Sequence, residues 1–196
     1  VCMDAVYVHI ADEYYLKGQA DWIDSAQLAK IKDDADRLRP LLCNKIAPNI
    51  SMNTIPNKEG DAKKPVSLHG IKAKYTVLMF WAPDCGHCKK ELPKLDSLYK
   101  KALYKHGLQI FAVESSNEVE KWKKLVIDKK LRTGWIHTYD PDRSTNFRKF
   151  YDVYVTPTIY LLDEKKTIIG RRVNHSNILD VIEYHEKKKK EKKENK

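Results

Sequence analysis

No apolar run in this 196-residue chain approaches the roughly 18–20 residues needed to span a bilayer. The longest, Tyr75 to Ala82, has the length of a buried strand. A secretory leader is not expected in the first ten residues either, because Val1 to Ile10 carries Asp4 and no Lys or Arg. Cysteine is scarce: four residues are too few for a disulfide scaffold, so their placement matters more than their number. Glycine is scarcer than usual, at seven residues, and no Gly-rich RNA-binding pattern or basic–aromatic alternation is present. Nucleic-acid binding therefore has only net charge in its favour, and no such partner is expected. What the chain does have is 33% charged and 42% hydrophobic residues, which excludes an embedded membrane protein and wholesale disorder. Its length is ample to bury a core.

The formal charge of +10 is unevenly spread. Residues 1–40 hold eight acids against five bases, a net of −3, and the last eleven residues hold seven Lys and three Glu, a net of +4. The body, 41–185, carries +9, enough to steer anionic partners. Two helices are predicted at 3–16 and 25–39. Leu28, Ile31, Ala35 and Leu38 form one stripe of the second, Asp24 and Gln27 its capping box, and Pro40 its stop. A Pro-, Asn- and Lys-rich stretch from Asn44 to Pro65 follows, read as a linker with short edge strands. Beyond it the pattern alternates. A strand at 75–81 leads to a helix from about Cys85 to Tyr104 and a strand at 108–113. A helix boxed by Ser115 and Glu118 comes next, then a short strand at 135–139 and a helix at 144–151. A hairpin of 158–162 with 167–169 precedes a final helix from Asn177. The expected partition is a helical segment at 1–43, an α/β domain at 44–185 and a fraying lysine-rich tail at 186–196.

The chemistry lies in Trp81-Ala-Pro-Asp-Cys85-Gly-His-Cys88-Lys-Lys-Glu-Leu-Pro93. Two cysteines three apart at a strand-to-helix junction place one thiol in the first helical turn, where free backbone N–H groups and the helix dipole favour a thiolate. The second sits one turn on, within reach of a mixed disulfide, and disulfide exchange needs that attacking and resolving pair. A structural zinc site would need a second pair of similar spacing, and Cys2 and Cys43 do not form one. Cys43 is expected to be a small buried hydrophobe, with nothing in the sequence to support its pairing with Cys2. Haem attachment would need His where Lys89 stands. A peroxidatic centre would need Thr or Ser at Ala82, three residues before Cys85. A copper-binding or delivery module using Cys85 and Cys88 is an alternative reading, and it would need a third ligand that the sequence does not locate. No metal or cofactor is expected.

The strand ending Phe80-Trp81, the Cys85-Gly-His-Cys88 motif, Pro93 five residues later and Val155-Thr-Pro157-Thr before a strand together resemble thioredoxin-fold domains of the TlpA/ResA type, the exported thiol-disulfide oxidoreductases of bacteria. The resemblance covers about 46–183. It implies an α/β thioredoxin fold, a central mixed sheet flanked by helices, here with an N-terminal helical extension. It further implies Cys85 as nucleophile, Cys88 as buried resolving thiol, and His87 as an insert that favours the thiolate. Glu91 is implied as a buried carboxylate handling protons for Cys88. Pro157 is implied as a cis-proline beside the sulfurs, with Thr156 and Trp81 at the substrate face. Protein thiols and disulfides are the implied substrates, a membrane electron donor the recycling partner, and the periplasm or cell envelope the location. The direction implied is reduction, with isomerisation as the alternative that the His insert favours. Two departures stand out. Met79 replaces a polar residue in the strand, and Asp84 replaces an apolar one before Cys85, where its carboxylate is expected to oppose thiolate formation.

Overall fold

The computed structural model describes residues 2–55, 65–101, 103–128, 131 and 134–194. Part of the expected linker and the last two tail residues lie outside them. Helix α1 (Asp4–Ile10) runs into a π-helical turn at Ala11–Tyr15, and Gly18 closes it with φ 72°. Helix α2 (Ser25–Leu38) starts on the expected capping box: Asp24 Oδ1 accepts from the Gln27 N–H at 2.7 Å, and Gln27 Oε1 from the Asp24 N–H at 3.3 Å. Because that cap satisfies end donors nothing else reaches, Asp24→Ala is expected to cost about 1 kcal/mol of stability, read from the urea midpoint.

Seven strands follow: β1 (Ser51–Thr54), β2 (Pro65–Ser67), β3 (Tyr75–Trp81), β4 (Leu108–Glu114), β5 (Trp135–Tyr139), β6 (Thr158–Asp163) and β7 (Ile168–Arg171). They form one mixed sheet in the order β2-β1-β5-β4-β3-β6-β7. Strand β3 lies inside it, parallel to β4 and antiparallel to β6, which is why both of its faces are covered and all seven of its residues, the polar Thr76 included, are buried. Tyr75, Val77, Met79 and Trp81 point to one face. There they meet Cys88, Leu92 and Leu95 of α3 (Gly86–Lys101), Trp122 and Val126 of α4 (Val119–Asp128), and Ile178 and Ile182 of α6 (Ile178–Glu194). Leu78 and Phe80 point to the other, against Leu41, Phe147, Tyr151 and Tyr160. Phe147 belongs to α5, a single turn (Phe147–Phe150) that is shorter than the predicted helix.

Four expectations change. The Ser115 box is absent, because the Ser115 N–H and hydroxyl both donate to the Trp81 carbonyl at 2.9 Å, tying β4 to the end of β3. Glu114 organises the approach to α4 instead, accepting from the Asn117 N–H at 3.0 Å. The lysine-rich tail does not fray at 186. Helix α6 continues to Glu194, and Glu186 accepts from Lys74 Nζ at 2.5 Å and from the Tyr75 hydroxyl at 3.3 Å; lysine is itself a good helix former.

The other two changes concern the N-terminal segment. Cys2 and Cys43 form a disulfide, with Cα atoms 5.8 Å apart, so Cys43 is a crosslink and not a buried thiol. Nor does packing break at 43: Leu41 is in the core, and the buried Arg171 guanidinium pairs with Asp4 at 2.7 Å and with Asp152. Arg37 on α2 also reaches Asp152, at 3.4 Å.

Candidate active site

The end of β3 delivers the chain through Ala82-Pro83-Asp84 to Cys85, whose N–H donates to the Ala82 carbonyl at 3.2 Å. Cys85 caps the start of α3: its carbonyl accepts the Lys89 N–H at 3.1 Å, and its Sγ accepts the Cys88 N–H at 3.0 Å. The sulfur is half-buried, whereas Cys88, one turn on, is fully buried against the sheet; both are free thiols. The Thr156–Pro157 peptide is cis. The Thr156 carbonyl stands over the pair and accepts from the Cys85 thiol at 3.1 Å. Thr158 braces the same loop by donating its hydroxyl to the Val155 carbonyl at 2.6 Å. Cys85, Cys88, Thr156 and Pro157, far apart in sequence, are thus brought to one place.

The two thiols differ in acidity. Burial, the largest influence on Cys85, disfavours its thiolate. Hydrogen bonds from the Cys88 side chain, from the Thr156 side chain and from the Cys88 and His87 N–H groups together outweigh it and hold the Cys85 pKa below the ordinary thiol value. Burial pushes Cys88 up to about 12, and its hydrogen bond with Cys85 adds to the rise. His87 is exposed, and its contribution to Cys85 is its N–H. The Asp84 carboxylate, next to Cys85 in sequence, meets Lys121 Nζ of α4 at 2.5 Å.

Trp81 needs correction. Its side chain is fully buried, tilted against Trp122 with ring centroids 6.4 Å apart, so it floors the site and presents no surface to a substrate. Glu91, three residues after Cys88, is largely buried, at 14% side-chain exposure, but it is not alone. Its carboxylate accepts the His175 N–H at 2.6 Å and faces His175 Nδ1 at 2.8 Å. His175 lies just before α6, and nothing in the local sequence around it marks the contact. Tyr154 and Val155 were also missed; they are 71% and 69% exposed beside Thr156. Tyr154 directly before the Val155-Thr-Pro-Thr turn was the available signal.

A buried and a half-buried thiol at a helix start, under a cis-proline loop on a mixed sheet, define a thioredoxin-like oxidoreductase. Comparison with known proteins agrees: residues 43–171 match the AhpC/TSA family, and the chain belongs to it. The thioredoxin-like protein YneN of Bacillus subtilis is 31% identical over 127 residues, 62% of this chain and 66% of that protein. The thiol-disulfide oxidoreductase ResA of Bacillus cereus is 27% identical over 127 residues, 65% and 67% of the two chains. The chain thus spans about two thirds of the length of these relatives. Among solved structures, a domain of a possible thiol-disulfide isomerase from Cytophaga hutchinsonii is 37% identical with a TM-score of 0.69, covering 78% of this chain and 98% of that one.

Proposed function

We propose that the chain exchanges disulfides with protein substrates through Cys85 and Cys88, acting as a reductant in the cell envelope that a membrane electron donor recharges. The observation that carries this is the asymmetry of the thiols: Cys85 half-exposed and acidified, Cys88 buried and held protonated. The Cys85 thiolate attacks one sulfur of a substrate disulfide. A mixed disulfide forms, and the other substrate sulfur leaves as a thiolate that takes a proton. Cys88 then loses its proton and attacks Cys85 Sγ, releasing the second substrate thiol. The substrate gains two electrons and two protons, and the protein is left with a Cys85–Cys88 disulfide. Thr156 and Pro157 hold the substrate backbone, and Glu91, oriented by His175, takes the Cys88 proton. His87 adds only a modest push, because its ring stands exposed.

Reduction is supported by that modest push: the more a thiolate is stabilised, the more oxidising its disulfide becomes. The envelope is supported by the Cys2–Cys43 disulfide, since such crosslinks persist in oxidising compartments. Among the described residues, no helix is long and apolar enough to cross a membrane, and no group of three His, Cys, Asp or Glu side chains stands ready to hold a metal ion.

Equilibration with glutathione tests the direction. A potential near the about −270 mV of thioredoxins is expected, and one near the about −180 mV of protein disulfide isomerase would make the site an isomerase. Iodoacetamide labelling tests the asymmetry. The rate at Cys85 is expected to rise with pH around a midpoint below that of free cysteine, because its pKa is depressed. Cys88 should stay unlabelled over the same range. In Glu91→Gln the Cys85 midpoint should hold while resolution of a mixed disulfide slows. An unchanged resolution rate would remove Glu91 from the mechanism.

A further inference from the structure

We propose that His175 is a proton-relay residue for Glu91: its imidazole passes the proton that Cys88 gives up on to bulk water, and returns one when the thiol pair is restored. This rests on the reading of Cys85 and Cys88 as the exchange pair and of Glu91 as the acceptor of the Cys88 proton. Cys88 is fully buried, and burial pushes its thiol up to about 12, so its proton has no direct route to water. Glu91 follows it by three residues on α3, a spacing that sets Cβ atoms about 5–6 Å apart on one helix face. Only 14% of the Glu91 side chain is exposed. A proton taken there has to be handed on before the next turnover. The turn carrying His175 is fixed at the same end of the sheet. Val173 shares the apolar core with Cys88, and its N–H donates to the Ile159 carbonyl at 3.3 Å, two residues after Pro157.

His175 touches Glu91 twice, and the two contacts differ in kind. Its backbone N–H donates to Glu91 Oε1 at 2.6 Å, a bond that holds the carboxylate whatever side chain residue 175 carries. The ring adds Nδ1, 2.8 Å from Oε2. The ring is 32% exposed, and among the described residues no protein group bonds to its Nε2. One nitrogen thus faces the buried carboxylate and the other is left to solvent, and an imidazole can take a proton at one nitrogen while releasing one from the other. When Cys88 attacks Cys85 Sγ, the Cys85–Cys88 bond forms and the bond from Cys85 to the substrate breaks. The substrate sulfur leaves with the electron pair. The Cys88 proton goes to Glu91 Oε2. From there it passes to Nδ1 as the Nε2–H gives its proton to water, so the ring is neutral before and after and the carboxylate is restored. When the Cys85–Cys88 disulfide is reduced again, a proton travels inward from water through Nε2, Nδ1 and Glu91 to the Cys88 thiolate.

Rapid mixing with a fluorogenic peptide disulfide tests the relay, because it separates attack by Cys85 from resolution by Cys88. His175→Ala keeps the N–H that holds Glu91 and removes the ring. His175→Gln restores a side-chain donor, but an amide does not carry a proton. Both variants are expected to slow resolution about ten- to hundredfold, the lower part of what a positioned proton transfer contributes. The attack phase should keep its wild-type rate in both, which checks that the site is folded. Imidazole added to His175→Ala is expected to restore resolution in proportion to its concentration, since the vacated position opens to solvent. It should do nothing for Glu91→Gln, where the acceptor itself is missing. Unchanged resolution in either His175 variant overturns the relay. So does slow resolution in His175→Ala that imidazole does not restore, which would leave His175 an orienting contact. If Glu91→Gln resolves at the wild-type rate, the reading of Glu91 fails instead. If wild-type protein forms no mixed disulfide with the peptide, the reading of Cys85 and Cys88 fails.

Discussion

Cys85→Ser is expected to lower the reduction of insulin disulfides by at least about three orders of magnitude, to the background rate, with the fold intact. A serine hydroxyl fills the half-buried position and can accept the Cys88 N–H, so the start of α3 has no reason to unravel. What is lost is the nucleophile: a hydroxyl does not ionise near neutral pH, and no other thiol replaces it. Cys88 is fully buried and held protonated, and Cys2 and Cys43 are tied to each other.

Cys88→Ser separates the two roles. Cys85 should still attack once, but without a resolving thiol the mixed disulfide should accumulate, as a single-turnover burst and a mass increase equal to the trapped substrate. Trapping in Cys85→Ser and none in Cys88→Ser would reverse the assignment. A small effect on insulin reduction in both variants would remove the pair from the chemistry.

Opening the Cys2–Cys43 crosslink is the change with the largest expected cost in stability. The bond joins residues 41 apart, and closing a loop of that length restrains the unfolded chain by about 3–4 kcal/mol in the chain-entropy description. The Cys2→Ser, Cys43→Ser double variant should show that loss as a lower urea midpoint, and adding a reductant should bring wild-type protein down to the same value. The native state contributes as well. Asp4 is two residues from the bridge and pairs with the buried Arg171, a cation that is costly to leave short of a partner. If the double variant unfolds at the wild-type midpoint, residues 2–43 are not clamped onto the sheet.

Much of the sheet was legible from local patterns. A seven-residue apolar strand at 75–81 that needs cover on both faces, the hairpin after Thr158 and the Asp24 capping box each depend on neighbours within a few residues, and each was found where the sequence pointed. The site was legible for a related reason: a thiol in the first turn of a helix and a second one turn later are set by helix geometry alone. Readings failed where a side chain had a choice of partners. Ser115 next to Glu118 has the form of a capping box, but the Trp81 carbonyl lay nearer once β3 and β4 had paired. That Asp84 would pair with Lys121 on α4 likewise depended on how the two helices pack. Glu91 was picked out by the resemblance to TlpA/ResA-type domains; that His175 would hold it depended on where α6 docks.

By itself, the sequence determined an α/β fold with one thiol pair at a strand-to-helix junction, and it narrowed four cysteines to Cys85 and Cys88 as the two proposed to carry the chemistry. It also limited what the chain lacks: a membrane-spanning run, a second cysteine pair of metal-ligand spacing, a Gly-rich nucleic-acid motif. Tertiary structure decided what joins distant residues: Cys2 with Cys43, Asp4 with Arg171, Glu91 with His175, and Thr156 over Cys85. The physical reason is range. Strand and helix periodicity and end-capping act over a few residues and leave a mark in the order of amino acids. A disulfide, a buried ion pair or a loop laid across a thiol requires only proximity, and proximity between residues 40 or more apart exists only after the sheet has formed.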